Sequence, residues 1–138
     1  MKNTLIFLVL TILLACQNRN ERTVDRFKSN PKGLEKLFIE ANMDPALVSN
    51  PGKLVSIQKL KPETINAIKT LGVRSPRYLV LDQIPCNGKY EVELIFGKKQ
   101  HLNYSCDGLQ SDKFESGFVQ GFKINERWYY WINNDVIG

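Results

Sequence analysis

Tyr90-Glu91-Val92-Glu93-Leu94-Ile95-Phe96 is the stretch that decides the fold. Tyr90, Val92, Leu94 and Phe96 alternate with Glu91, Glu93 and Ile95, a period of two that sends one row of side chains into a core and leaves the other mostly wet. Asn87-Gly88 before it is the strongest short hairpin signal in the chain, and Gly97-Lys98-Lys99-Gln100 after it is a second turn. On the far side of the first turn, residues 77–84 carry Tyr78, Leu79, Val80 and Leu81 in a nearly unbroken run, the pattern of a more central strand. Beyond the second turn, Leu102, Tyr104 and Cys106 alternate with His101, Asn103 and Ser105. These three segments predict an antiparallel meander.

Residues 114–132 read as a further hairpin with Asn125-Glu126 at its tip. A two-residue loop there sets Phe122 opposite Tyr129, Gly121 opposite Tyr130 and Lys123 opposite Trp128. Phe118, Phe122, Ile124, Tyr129 and Trp131 then face the core. Val119, Gly121, Lys123, Trp128, Tyr130 and Ile132 face outward. A slip of one residue would exchange the faces of one strand.

Upstream of the meander the period is helical. Asn30-Pro31 joins a favoured N-cap to a residue suited to the first helical position, and Leu34, Leu37, Phe38 and Ala41 follow on one face. Asp44-Pro45 repeats that signature and starts a short piece through Val48, ended by Asn50-Pro51-Gly52. Residues 53–60 are irregular or a short strand. Pro62 opens a second helix with Ile65, Ile68 and Leu71 on one side and Gly72 just past its end. The expected fold class is α+β: two N-terminal amphipathic helices packed on one face of an antiparallel sheet of about five strands.

The chain begins with Lys2, an apolar run from Leu5 to Leu14 broken only by Thr11, and Leu13-Leu14-Ala15-Cys16. This is the layout of a secretory signal peptide, and the run is shorter than the roughly twenty apolar residues a spanning helix needs. At residues 13–16 the sequence resembles the lipobox of bacterial lipoproteins, although Leu14 stands where that family more often has Ala, Ser, Thr, Val or Ile. The resemblance implies a diacylglyceryl group on the Cys16 thiol, cleavage between Ala15 and Cys16, and acylation of the new amine. It covers the leader only. Such a protein is anchored to the bacterial cell envelope without spanning the membrane. Gln17 in place of aspartate is similar to the sorting pattern for the outer membrane, where the cell has one.

The expected organisation is a signal peptide over residues 1–15, a flexible polar tether over 16–30, and a single α+β domain over 31–138. A composition 43% hydrophobic and 10% aromatic suits a globular core rather than a disordered chain. The net charge of +5 would draw anionic partners such as phospholipid head groups, envelope polymers or an acidic protein, but charge scattered in this way is more often simply a solvated surface. Its scatter along the chain, with no nucleic-acid motif, gives no reason to expect DNA or RNA binding.

With Cys16 assigned to lipid, Cys86 and Cys106 are the one pair able to bridge in an oxidising compartment. The bridge meets a geometric difficulty, because first and third strands of a meander lie about 9.6 Å apart whereas bridged Cα atoms sit below about 7 Å. It requires both cysteines to lie in end loops, and both precede turn signals.

Trp128 and Tyr130 beside Lys123 form the candidate binding surface, weighed against ordinary cross-strand packing with a Lys123 to Trp128 cation-π contact. His101 is the single histidine and is expected to be exposed, without an identifiable partner. Glu91 and Glu93 share a strand face about 6.6 Å apart and are expected to face solvent. No phosphate loop or metal-ligand cluster is legible, so no cofactor and no metal is expected. The chain therefore reads as a non-catalytic envelope lipoprotein that binds a protein or anionic polymer through its sheet. The alternatives are a small enzyme or ligand-pocket protein using His101, Asp82 or a tyrosine, and a purely structural envelope component.

Overall fold

The computed structural model describes residues 2–109 and 111–135, except for the side chains of residues 2, 5 and 12–18. The Cys16 thiol, expected to carry lipid, is among those undescribed side chains. The helices are α1 (Lys2–Lys28), α2 (Pro31–Asn42), α3 (Pro45–Val48) and α4 (Pro62–Thr70), with a short 3-10 turn at Ile57–Lys59. The strands are β1 (Val55–Ser56), β2 (Pro76–Cys86), β3 (Lys89–Phe96), β4 (Gln100–Tyr104), β5 (Lys113–Ser116), β6 (Val119–Lys123) and β7 (Trp128–Asn133). They form one antiparallel sheet in the order β1-β2-β3-β4-β7-β6-β5. The class is α+β as expected, but the sheet has seven strands rather than about five. The extra strands arise in two places: β1, two residues long, lies in the 53–60 stretch read as irregular or a short strand, and residues 114–124, read as one strand, divide at a turn over Gly117 and Phe118 into β5 and β6, which leaves Phe118 exposed rather than in the core.

Capping chemistry places the helices. Asn30 Oδ1 accepts from the Gly33 N–H at 3.0 Å, and α2 starts at Pro31. Asp44 is fully buried; its Oδ1 accepts from the Ala46 N–H and its Oδ2 from the Lys61 N–H at 2.9 Å. One carboxylate thus caps α3 and holds the residue that leads into α4. Lys61 in turn pairs with Glu40 of α2 at 2.7 Å. Asn42, at the end of α2, accepts from the Tyr90 N–H and donates to the Tyr90 carbonyl, which docks α2 onto β3 through the backbone.

The helix-facing side of the sheet carries Leu79, Leu81, Val92, Leu94, Phe96, Leu102, Trp128 and Tyr130, all buried. Leu34, Leu37 and Ala41 of α2 and Ala67 and Ile68 of α4 close over them. Phe38 stacks on Tyr104 with ring centroids 4.0 Å apart. Burial of each such side chain is worth about 1.5–3 kcal/mol, so this face carries most of the stability.

Residues expected to form a flexible tether are helical here as far as Lys28. Thr23, Val24 and Phe27 are buried, and the fully buried Phe27 ring packs on Phe96 and Tyr130 at 6.2 and 6.3 Å. Two apolar side chains are too few to register as an amphipathic period, yet one phenylalanine set among aromatic rings is enough to dock the turn that bears it.

Cys86 and Cys106 are bridged, with Cα atoms 5.7 Å apart. The meander permits this because neither cysteine lies in regular pairing beside the other. Between the pairs Leu81–Val92 and Pro85–Tyr90, three residues of β2 stand against one of β3, a bulge that bends the end of β2. Cys106 lies past the end of β4, and its N–H donates to Glu91 Oε1 of β3 at 2.9 Å. Asn87 and Gly88 both have positive φ, as a two-residue hairpin turn requires, and Cys86 stands opposite Lys89 as expected.

Replacing Asp44 by alanine leaves two buried N–H groups without an acceptor and is expected to cost about 2–3 kcal/mol in urea unfolding. Asp44→Asn retains one acceptor oxygen and should fall between alanine and wild type. An unchanged urea midpoint for Asp44→Ala would remove the carboxylate from its joining role.

Candidate functional site

The register of β7 determines what the uncovered side of the sheet presents. Lys123 pairs with Tyr129 and Phe122 with Tyr130, one residue away from the register expected for a two-residue loop. The connection is longer: the Trp128 carbonyl accepts from both the Ile124 and Asn125 N–H groups, and Asn125 Oδ1 accepts from Arg127 and Trp128. The faces of β6 are as expected and those of β7 are exchanged. Trp128 is 3% exposed and Tyr130 fully buried, so neither belongs to a binding surface; both are core. Lys123 remains on the open face, beside Tyr129 rather than Trp128. Trp131 joins it there.

Two pairing rows cross this face. One runs Tyr78, Ile95, His101, Trp131, Gly121 and Phe114; the next runs Val80, Glu93, Asn103, Tyr129 and Lys123. Asp82, Glu91 and Ser105 lie beyond the second row. His101 stacks on Trp131 with ring centroids 3.5 Å apart and planes 10° from parallel. Phe114 lies over Gly121 so closely that a Cβ there would overlap its ring, and it meets Tyr129 edge-on at 6.5 Å. This face thus carries two ring contacts, His101 with Trp131 and Phe114 with Tyr129.

A hydrogen-bonded chain joins the two rows. His101 Nδ1 meets Glu93 Oε1 at 2.8 Å, Asn103 Nδ2 donates to Glu93 Oε2 at 3.1 Å, and Trp131 Nε1–H donates to Asn103 Oδ1 at 2.7 Å. Burial pushes the Glu93 carboxyl up, but the hydrogen bonds from His101 and Asn103 and the charge of His101 outweigh it and hold the group below its ordinary value. An ionised carboxylate only accepts, so the proton of this contact is on His101 Nδ1. The expectation of an exposed, unpartnered histidine and of solvent-facing glutamates is thus corrected. Glu91 is engaged as well, accepting from Ser105 Oγ at 3.2 Å and from the Cys106 N–H.

Asp82 differs from its neighbours. It makes no hydrogen bond or ion pair with any described residue, and burial, then the charges of Glu93 and Glu91, raise its carboxyl above the ordinary 3.8. Burial and the same three carboxylates raise the Tyr129 phenol. Asp82, Glu91 and Glu93 therefore form an acidic patch near Tyr129, with the Trp131–His101 stack beside Glu93. Among the described residues, no group of three or more histidine, cysteine or acidic side chains is arranged to hold a metal ion. The arrangement suits a cation that can also lie against an aromatic ring.

The signal that could have revealed the His101–Glu93 pair is loop length. Phe96 pairs with Gln100, which leaves three residues in the turn and places Glu93, His101 and Asn103 side by side. Compared with known proteins, the chain matches no family model, no curated protein and no solved structure.

The sign of the Asp82 shift gives a test. A raised carboxyl holds its proton more tightly when folded, so a penalty accumulates as pH rises from 3.8 through the raised value. Asp82→Asn carries no such penalty and should unfold at higher urea than wild type at pH 7. Below pH 3.8 the two should converge. A difference that does not change with pH would refute the acidic patch.

Proposed function

We propose that this chain is a lipid-anchored lipoprotein of the bacterial envelope acting as a non-catalytic binding module, and that its open sheet face receives a basic segment of another protein. The observation that carries the binding half is a set of aromatic rings on the same face as three carboxylates, one of them without a described partner, opposite the helices. Charge complementarity selects an arginine- or lysine-bearing partner, since one basic side chain can pair with Asp82, whose charge reaches Tyr129, while another lies against the Trp131 ring. A catalytic use of His101 finds less support: Glu93 takes its Nδ1, Trp131 covers its ring, and the Ser105 hydroxyl is engaged by Glu91.

The anchoring half rests on the resemblance at Leu13-Leu14-Ala15-Cys16. The exposure of Ile6, Phe7, Leu8, Val9 and Leu10, each by half or more, agrees with a leader that the domain does not use. Among the described residues no helix is long and apolar enough to cross a membrane. Two or three acyl chains on Cys16, at about 0.8 kcal/mol per buried CH₂, would supply a firm anchor instead.

Mass spectrometry of the membrane fraction should find wild type cleaved and acylated at Cys16 and the Cys16→Ala chain unacylated and no longer firmly held. An unacylated wild-type chain would defeat the anchoring half. For the binding half, cross-linked capture from native envelopes should recover a protein that contacts the sheet through basic residues. Trp131→Ala and Asp82→Asn should each reduce that recovery about tenfold or more, in keeping with loss of a central aromatic or charged contact. Equal recovery by wild type and both variants would dispose of the open face as the contact.

A further inference from the structure

Arg19, Arg22, Thr23 and Arg26 recur at i, i+3, i+4 and i+7, which places them on one face of α1. That face lies against Arg74, in the loop after α4, and against Phe96 and Gln100 at the ends of β3 and β4. Together these residues line an open cleft of about 530 Å³. All four arginines are exposed. No described carboxylate lines the cleft or lies within 4.0 Å of any of the four guanidinium groups. Among the described residues, Arg26 alone of the four finds an acceptor, the Gly72 carbonyl. Lys98 and Lys99, in the turn that joins Phe96 to Gln100, extend the same charge.

A guanidinium remains charged at any physiological pH, so this clustering cannot be relieved by loss of a proton. It can be relieved by an oxyanion, whose oxygens match the planar fork of arginine two at a time. A carboxylate would neutralise one of the four; a phosphate or diphosphate group engages several. The volume lies within the roughly 300–1,000 Å³ of ordinary small-ligand sites and leaves room for a substituent on the phosphate. We infer that this cleft binds a phosphate-bearing anion, the chemistry shared by an acidic phospholipid headgroup and a soluble phosphate ester. Under the lipid-anchored reading, on which this one clause rests, Arg19 is within a single helical turn of the acylated Cys16, so the cleft opens where headgroups are within reach.

The test uses the full chain in nonionic detergent micelles, so that any anchor is satisfied identically in every arm. One arm titrates inorganic pyrophosphate by calorimetry; the other compares micelles doped with phosphatidylglycerol against micelles doped with phosphatidylcholine. The cleft variant is Arg22→Gln with Arg74→Gln. The control is Lys53→Gln with Lys59→Gln, which removes the same charge from exposed positions flanking β1. The cleft variant should bind at least about tenfold more weakly than the control, as expected for loss of charge-assisted hydrogen bonds. Binding in the first arm alone identifies a soluble phosphate, and binding in the second alone identifies a headgroup. No binding in either arm, or equal losses in cleft and control variants, overturns the inference. Lipidation is read from the mass of the protein and enters neither titration, so failure of one proposal leaves the other standing.

Discussion

Asn125 accepts from the backbone N–H groups of Arg127 and Trp128, and the Trp128 carbonyl accepts from Ile124 and Asn125. This small closed turn holds Lys123 opposite Tyr129, and through β7 it sets what both sides of the sheet contain. Tyr130 enters the core between Phe122 at 6.0 Å and Phe96 at 6.2 Å, where Phe27 of α1 also docks. Trp131 goes the other way, to stack on His101. Sliding β7 by one residue would put Trp128 and Tyr130 in solvent, remove the aromatic seat of α1, and dissolve the open-face row. Core and candidate site are two consequences of one register.

What was legible in the chain was local. Asn30 and Asp44 mark their helices by capping N–H groups a few residues away, Pro62 suits the first turn of α4, and Gly72 ends α4 with the positive φ that its position asks for. The alternation of β3 and the Asn87-Gly88 turn needed no distant information either. The register of β7 was not legible, because it depends on a side-chain-supported turn whose length Asn125-Glu126 does not announce. The docking of α1 was hidden for a related reason: Val24 and Phe27 have value only against rings from β3 and β7. The site lay further out of reach. Glu93 and His101 were placed on wet faces of neighbouring strands, but their contact is diagonal and follows only from a three-residue loop between β3 and β4.

The open face is also where the protein departs from what stability alone would select. Glu93 and Glu91 are each satisfied by donors from β4 or the turn beyond it, and so belong to the fold. Asp82 is not. It sits in the β2 bulge with no described partner, and burial, together with two negative neighbours, keeps its carboxyl raised. A fold gains nothing from such a group, whereas a surface that receives a cation gains an empty acceptor already aimed by a rigid strand. Perturbed groups of this kind cluster at functional positions, although structural networks can perturb them too. Asp82 stands apart from the satisfied network beside it.

The two charged regions do not cancel. Glu91 lies near the Asn87 end of β3, and Phe96, at the arginine cleft, ends the same strand; five residues of extended chain put about 17 Å between them. At physiological ionic strength the screening length is about 8 Å, so each region presents its own field to an approaching ligand. The net charge of +5 therefore describes neither region. A chain anchored beside Arg19 would hold its basic cleft toward the membrane and its acidic sheet face on another side of the molecule. Opposite charges on one small domain are useful when the two things it meets differ in sign.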